Sequence, residues 1–308
     1  MTAKPIKNIG ASVRRRLLNN AREEGRGLQE LMQYYAMERF LYRLSVSPYA
    51  DQFVLKGALL LRVWQAPLAR PTMDIDMLGR VSNEEQSIPG IIREIIAVEH
   101  CDDGIDFDPA SITVEPITEG AEYKGQRVKF RGVLDAARII IQMDLGFGDR
   151  VYPDPSRQRL PSLLDFPEPE LYCYCYSRES VIAEKFEAMI KLGILNSRMK
   201  DFYDIWMLSR QYDFQGNSLC EAMGQTLKQR GTELVMPVAV FSGDFIDAKQ
   251  VQWKAFRKRL PNEPVPAKFD EVVQQLQVFL APVVEAISVK KRFVNIWMAP
   301  DSWQKSHE

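Results

Sequence analysis

Histidine is nearly missing from this chain, which has only His100 and His307. Cys101, Cys173, Cys175 and Cys220 stand at no ligand spacing, so the two residue types together cannot complete a tetrahedral zinc site. The same cysteines show no disulfide framework, which points to a reducing cytoplasm as the expected compartment. No stretch reaches the ~20 apolar residues that crossing a bilayer requires, and no apolar segment follows the basic opening MTAKPIKNIGASVRRR. Membrane insertion and secretion are therefore not expected. An excess of positive charge is lacking as well, since 40 Lys and Arg face 41 Asp and Glu. A polyanion would have to meet a local patch rather than a global field. Repeats and low-complexity tracts are also missing. What remains is ordinary for a folded protein, with 46% hydrophobic and 26% charged residues, and 308 residues suffice for one large or two modest domains.

Hydrophobic periodicity orders the chain. Ser12 stands as an N-cap before VRRRLLNNAREEG, with Gly25 and Gly27 closing a first helix. Leu28, Leu31, Met32, Tyr35, Phe40, Leu41 and Leu44 return at three- and four-residue steps, predicting a long amphipathic helix over 28–44. The apolar run 53–64, ending before Pro67, reads as another helix. Strict alternation over 73–78 is the period of a strand with one wet face. A helix over 88–99 and strands over 111–117, 127–132 and 137–147 follow. Between 152 and 169, prolines at 153, 155, 161 and 167 suggest an extended connection, and a domain boundary is placed after residue 160. Beyond it, helices are expected over 180–192, 200–211 and 269–287. The expected class is α+β: a mixed sheet flanked by helices over 1–160, then a mainly α-helical domain over 161–308.

The chemistry centres on the wet face of the strand. Asp74 and Asp76, two apart, project side chains whose origins lie ~6–7 Å from each other, so both carboxylates can share a divalent ion. Phosphoryl transfer uses such ions, and hard oxygen ligands favour Mg²⁺ or Mn²⁺. Asp144 in IIIQMDLGFGD is the candidate third carboxylate, as general base or second-metal ligand. Taken alone, an Asp-x-Asp strand is more often a solvated edge that discourages aggregation. Lys56-Gly57-Ala58 at the expected helix start adds backbone N–H groups suited to a phosphate, a second feature aimed at the same ligand.

Five blocks in order, YAMERFLYRL, FVLKGALLL, RPTMDID, AEKFEAMI and SRMKDFYDIW, resemble the AbiEii/AbiGii toxin family of nucleotidyltransferases over about residues 12–253. The resemblance implies a polymerase-β-like nucleotidyltransferase domain with a helical C-terminal domain. It also implies a nucleoside triphosphate as substrate, an RNA acceptor, a cognate antitoxin as partner, and a place in phage defence. MenT toxins, similar in motif order, modify tRNA acceptor ends, which makes tRNA the implied acceptor. Position by position, Gly57 matches the glycine of a phosphate-binding turn and Asp74 with Asp76 match the metal pair. Lys185 matches a lysine that neutralises triphosphate and is placed in the cleft with the KDFYD segment, where Asp201 or Asp204 matches a downstream acidic residue. Ala58 departs from the Gly-Ser of the wider superfamily, which removes a hydroxyl contact to phosphate.

The residues themselves leave alternatives beside that reading. Lys185 also fits a charged helix face, and Asp201 a helix cap. Arg198, Lys200, Asp201 and Asp204 fall within about two helical turns. Arg70 and Thr72 precede the metal strand, where the arginine could hold a phosphate or pair with Asp76. Arg14, Arg15, Arg16 and Arg22 form a basic patch suited to RNA phosphates or to a solvated helix face. The Tyr172-Cys173-Tyr174-Cys175-Tyr176 alternation predicts a strand with its aromatics on one face. Trp206 and Trp253 are assigned to the core. Two rival functions stand beside RNA modification: nucleotidyl transfer to a small molecule or protein, and a nucleotide-binding module whose chemistry has lapsed.

Overall fold

The computed structural model describes residues 8–66, 71–81, 87–99, 102–117, 125–167, 169–260 and 265–305. The chain divides into two compact units, one comprising Met1–Gln65, Pro71–Gly148 and Ser156–Cys175, the other Ala66–Arg70, Asp149–Pro155 and Tyr176–Glu308. The class is mixed α+β, with a helix-flanked sheet and a mainly helical C-terminal region. Among the described residues, no helix is long and apolar enough to cross a membrane.

In the first unit, α1 (Ile9–Glu23) and α2 (Leu28–Val46) precede β1 (Phe53–Lys56), a 3-10 turn at Gly57–Leu59, the short α3 (Leu60–Val63) and β2 (Ile75–Gly79). Then come α4 (Ile88–Ile96), β3 (Ile105–Ile117), β4 (Gly125–Leu134), β5 (Ala137–Phe147), β6 (Ser156–Arg159) and β7 (Tyr172–Cys175). Among the described residues the sheet has seven strands in the order β3-β4-β5-β2-β1-β7-β6. Three expectations need correction. The cap of α1 is Asn8, whose side chain accepts from Ala11 N at 2.9 Å, rather than Ser12. The first four residues of 53–64 form a strand, because β1 lies between β2 and β7 and is apolar on both faces, a pattern that cannot be told from a buried helix by periodicity. The proline-rich connection holds β6, an edge strand that the prolines flank without interrupting.

α2 lies against the sheet, and its Phe40 meets Phe130 and Phe107 at ring distances of 5.1 and 6.5 Å. Every residue over 31–44 is buried, including the charged ones. Arg39 and Arg43 both reach Asp103, at 2.6 and 3.0 Å, and Tyr35 donates to its backbone oxygen at 2.6 Å. Two guanidiniums thus share one carboxylate, both of whose oxygens are hydrogen-bonded inside the core.

The second unit carries α5 (Arg178–Leu192), α6 (Met199–Gln211), β8 (Phe214–Gln215), α7 (Gly216–Gln229), α8 (Gly243–Arg257), α9 (Phe269–Ser288), β9 (Ile296–Met298) and β10 (Ser302–Gln304). Ser177 caps α5 by accepting from Ser180 N at 3.1 Å, and Gly193 ends it at φ 48°. Phe202, Phe245, Trp253 and Phe269 form one aromatic core, with both tryptophans assigned above buried.

Candidate active site

β2 and β5 are parallel neighbours, and their register sets Asp76 beside Asp144. The strand expected over 73–78 begins at Ile75, so Asp74 stands in the bend just before β2, two residues ahead of Asp76. The three carboxylates are half-buried, each offering an oxygen within 4.8 Å of the others. Like charges this close repel unless a cation joins them, and three hard oxygens at such spacing fit a divalent ion.

Each carboxylate is held from behind. The Thr72 hydroxyl donates to Asp74 Oδ1 at 2.6 Å, while Thr72 N donates to the Tyr34 hydroxyl at 2.9 Å. Gln33, also on α2, donates to the backbone oxygens of Met73 at 3.1 Å and Ile140 at 2.9 Å, tying β2 and β5 to one helix. Asp76 stands across from Lys56 in the β1–β2 pair. Its carboxylate rests on Gly57, which has φ 71°, and a Cβ there would come within 1.9 Å of Asp76 Oδ2. Glycine is required on both counts, backbone conformation and space. Ala58 is buried in the same turn. Asp144 is gripped by Arg127, with Nε to Oδ1 at 2.8 Å and Nη2 to Oδ2 at 2.7 Å, and Gln142 donates to Oδ1 at 3.3 Å.

A second charged cluster lies in the other unit. Lys185 Nζ meets Asp201 at 2.9 Å and Asp204 at 2.8 Å, and Arg198 Nε meets Asp201 at 2.7 Å. Both aspartates are buried, Lys185 is nearly so, and Lys200 is exposed. Asp201 sits in the first turn of α6, whose N-cap is Arg198, so Asp201 is an ion-pair partner rather than the cap. On α5, Glu184 and Glu187 flank Lys185 and meet Arg230 at 3.2 and 2.9 Å, and Asp149 meets it at 3.1 Å. Burial pulls the Arg230 guanidinium down, but these carboxylates hold it above its ordinary value.

Of the residues singled out by sequence, Lys56, Gly57, Ala58, Thr72, Asp74, Asp76 and Asp144 gather in the first unit, and Lys185, Arg198, Asp201 and Asp204 in the second. Arg70 lies outside the described residues. The basic patch is partly tied down: Arg14 pairs with Asp135 at 3.5 Å, and Arg16 donates to Asp165 O at 3.2 Å. β7 buries Cys173 and Cys175 and leaves Tyr172 exposed. Sequence reasoning missed Arg127, Tyr34, Gln33 and Arg230. For Arg127 a signal exists, since a two-residue turn at Asp135 and Ala136 between β4 and β5 sets the register that faces it to Asp144.

The family described as "Nucleotidyl transferase AbiEii toxin, Type IV TA system" matches residues 39–275. No curated protein matches the sequence. Among solved structures, JHP933 from Helicobacter pylori superposes with a TM-score of 0.50 at 14% identity, covering 86% of this chain and 95% of its own. A second H. pylori structure, a provisionally assigned nucleotidyltransferase, has a TM-score of 0.47 at 15% identity and covers 87% of this chain and 100% of its own. At such identities the first likeness speaks to the fold alone.

Proposed function

From the premise that the chain belongs to the AbiEii family of nucleotidyl transferase toxins of type IV toxin–antitoxin systems, we propose that it transfers a nucleoside monophosphate from a nucleoside triphosphate to an acceptor hydroxyl on RNA, with tRNA the foremost acceptor. The acceptor oxygen gives up its proton to water and forms a bond to the α-phosphorus, the bond from that phosphorus to the bridging oxygen breaks, and pyrophosphate leaves with the electron pair. The family also implies a cognate antitoxin. The observation that carries the reading is the set of three carboxylates within 4.8 Å of one another, Asp76 and Asp144 on adjacent parallel strands and Asp74 just before the first of them.

A divalent cation, Mg²⁺ or Mn²⁺, held by these residues would offset triphosphate charge and help align the acceptor hydroxyl. Thr72 spends its hydroxyl proton on one oxygen of Asp74, which fixes the carboxylate and leaves its other oxygen for ligation. Gly57 lets Asp76 close onto the backbone turn, whose N–H groups at Gly57 and Ala58 are assigned to a phosphate oxygen without help from a residue-58 hydroxyl. Lys56 adds positive charge beside them. Asp144, the third carboxylate of the set, is assigned to ligation rather than proton abstraction. In the second unit, Lys185 with Asp201 and Asp204 is assigned to neutralising phosphate charge, and Arg198 and Lys200 to substrate binding.

The deciding experiment incubates the protein with Mg²⁺, total tRNA and each α-³²P-labelled nucleoside triphosphate in turn, beside a folded Asp76→Ala variant. Label in RNA with the wild type alone supports the proposal and identifies the nucleotide. Label that appears only on a small molecule or a protein, or equally with the variant, overturns it.

A further inference from the structure

The third carboxylate of the triad has its own cation built in. Arg127 on β4 stands directly across from Asp144 on β5 and engages both oxygens, at 2.8 and 2.7 Å. The pair is half-sheltered, with side-chain exposures of 31% and 18%, so water screens it only in part. A two-point guanidinium contact of this kind uses the oxygen positions that a metal ion would need. Because an Asp144 oxygen also lies within 4.8 Å of oxygens of Asp74 and Asp76, the guanidinium and a divalent ion at the triad would place like charges on one carboxylate.

We propose that Arg127 is a positioning residue that competes with the divalent ion for Asp144, so that loading of the ion is coupled to the arrival of an anionic substrate. This inference rests on the triad being an ion site. A phosphate group presents the same planar pair of oxygens that Arg127 now finds in Asp144, so a bound triphosphate or acceptor strand gives the guanidinium another bidentate partner. Drawing Arg127 onto phosphate frees Asp144 for the ion. Ion and substrate then bind with positive coupling, each raising the affinity for the other by the same factor. The device keeps an ion site of three close carboxylates partly neutralised without a fourth ligand.

The test titrates Mn²⁺ alone into the full-length protein and follows the free-ion signal by electron paramagnetic resonance, for the wild type, Arg127→Gln and Arg127→Lys. Removal of the competing charge in Arg127→Gln is expected to tighten Mn²⁺ binding by about tenfold. Arg127→Lys, a point charge that cannot grip both oxygens, should fall between. In turnover, Arg127→Gln should need less Mn²⁺ for half-saturation while its KM for nucleoside triphosphate rises. Opposite shifts of that kind do not follow from a merely structural role. Equal or weaker Mn²⁺ binding in a folded Arg127→Gln protein overturns the proposal, and if glutamine prevents folding, equal or weaker binding in Arg127→Lys does so. Asp76→Ala separates the two claims. Loss of Mn²⁺ binding there with no tightening in Arg127→Gln removes only the competition, whereas undiminished binding in Asp76→Ala removes the ion site itself and the proposal with it.

Discussion

The two charged clusters of this protein use aspartate in opposite ways. On the sheet, Asp74, Asp76 and Asp144 are half-buried, and among the described residues these carboxylates outnumber the cations Lys56 and Arg127 that stand across from them. On α5 and α6, Lys185 and Arg198 meet Asp201 and Asp204 in equal number, and both aspartates are buried. The first arrangement retains a negative surplus at a place water can reach, which is the condition for taking up a cation. In the second, buried aspartates are paired with cations from α5 and from the start of α6, so the charges hold the two helices together whatever further part Lys185 plays in chemistry.

The largest expected effect breaks the first cluster. Asp76→Ala should lower nucleotidyl transfer by about a thousandfold or more, while its melting temperature holds or rises because one of three repelling carboxylates is gone. Radiolabel transfer and calorimetry on the same sample check both halves, and a large fall in melting temperature would erase the contrast. Breaking the second cluster should cost stability, which breaking the first does not. Lys185→Met leaves two aspartates buried beside one remaining arginine and should cost about 3–5 kcal/mol in a urea titration. A loss below ~1 kcal/mol would mean that water reaches this cluster as it reaches the sheet.

Glu38 sharpens the comparison because it is buried without balance. One of its oxygens accepts from Leu163 N at 2.7 Å, the other has no hydrogen-bond partner among the described residues, and burial pushes its carboxyl from 4.5 up to about 7. The folded state thus holds a proton that the unfolded chain has already released, and the stability this provides is full below pH 4.5 and lost as pH rises through about 7. Glu38→Gln should match the wild type below pH 4.5 and exceed it by ~3 kcal/mol above pH 7, read from denaturation midpoints across that window. The smallest effect belongs to Thr72→Val, which removes the hydroxyl that fixes Asp74. Activity should fall by about tenfold to a hundredfold with stability nearly unchanged. Unaltered kcat would show that Asp74 needs no such support.

Much of this was legible in the residues. Alternation found the strand that carries Asp76, although Asp74 falls in the bend before it, and β5 runs over 137–147 as its apolar residues predict. Failures follow from what periodicity measures. It reports the faces of an element and not its neighbours, so β1, enclosed by strands, looks like a helix. It also reads Glu38, Arg39 and Arg43 as the wet side of α2, although all three are buried. The two arginines are buried against Asp103, 64 positions beyond Arg39, and Glu38 accepts from Leu163, distances that no local pattern carries. Arg127 escaped differently, since the two-residue turn after β4 does fix what faces it, but by itself it is an unremarkable outward residue of an alternating strand.

β2 and β5 lie in the middle of the seven-strand order, each bonded to strands on both sides. Amide protons there exchange with solvent only when the sheet itself parts, whereas those at the edges exchange through local fraying. Asp76 and Asp144 therefore belong to the segment of this unit expected to stay protected longest from deuterium and from proteases, and to be rebuilt only when the sheet is rebuilt. Damage that strips the margins of the fold would leave these two ligands in register, and a cell seeking to silence the protein gains little by loosening it short of complete unfolding of the sheet.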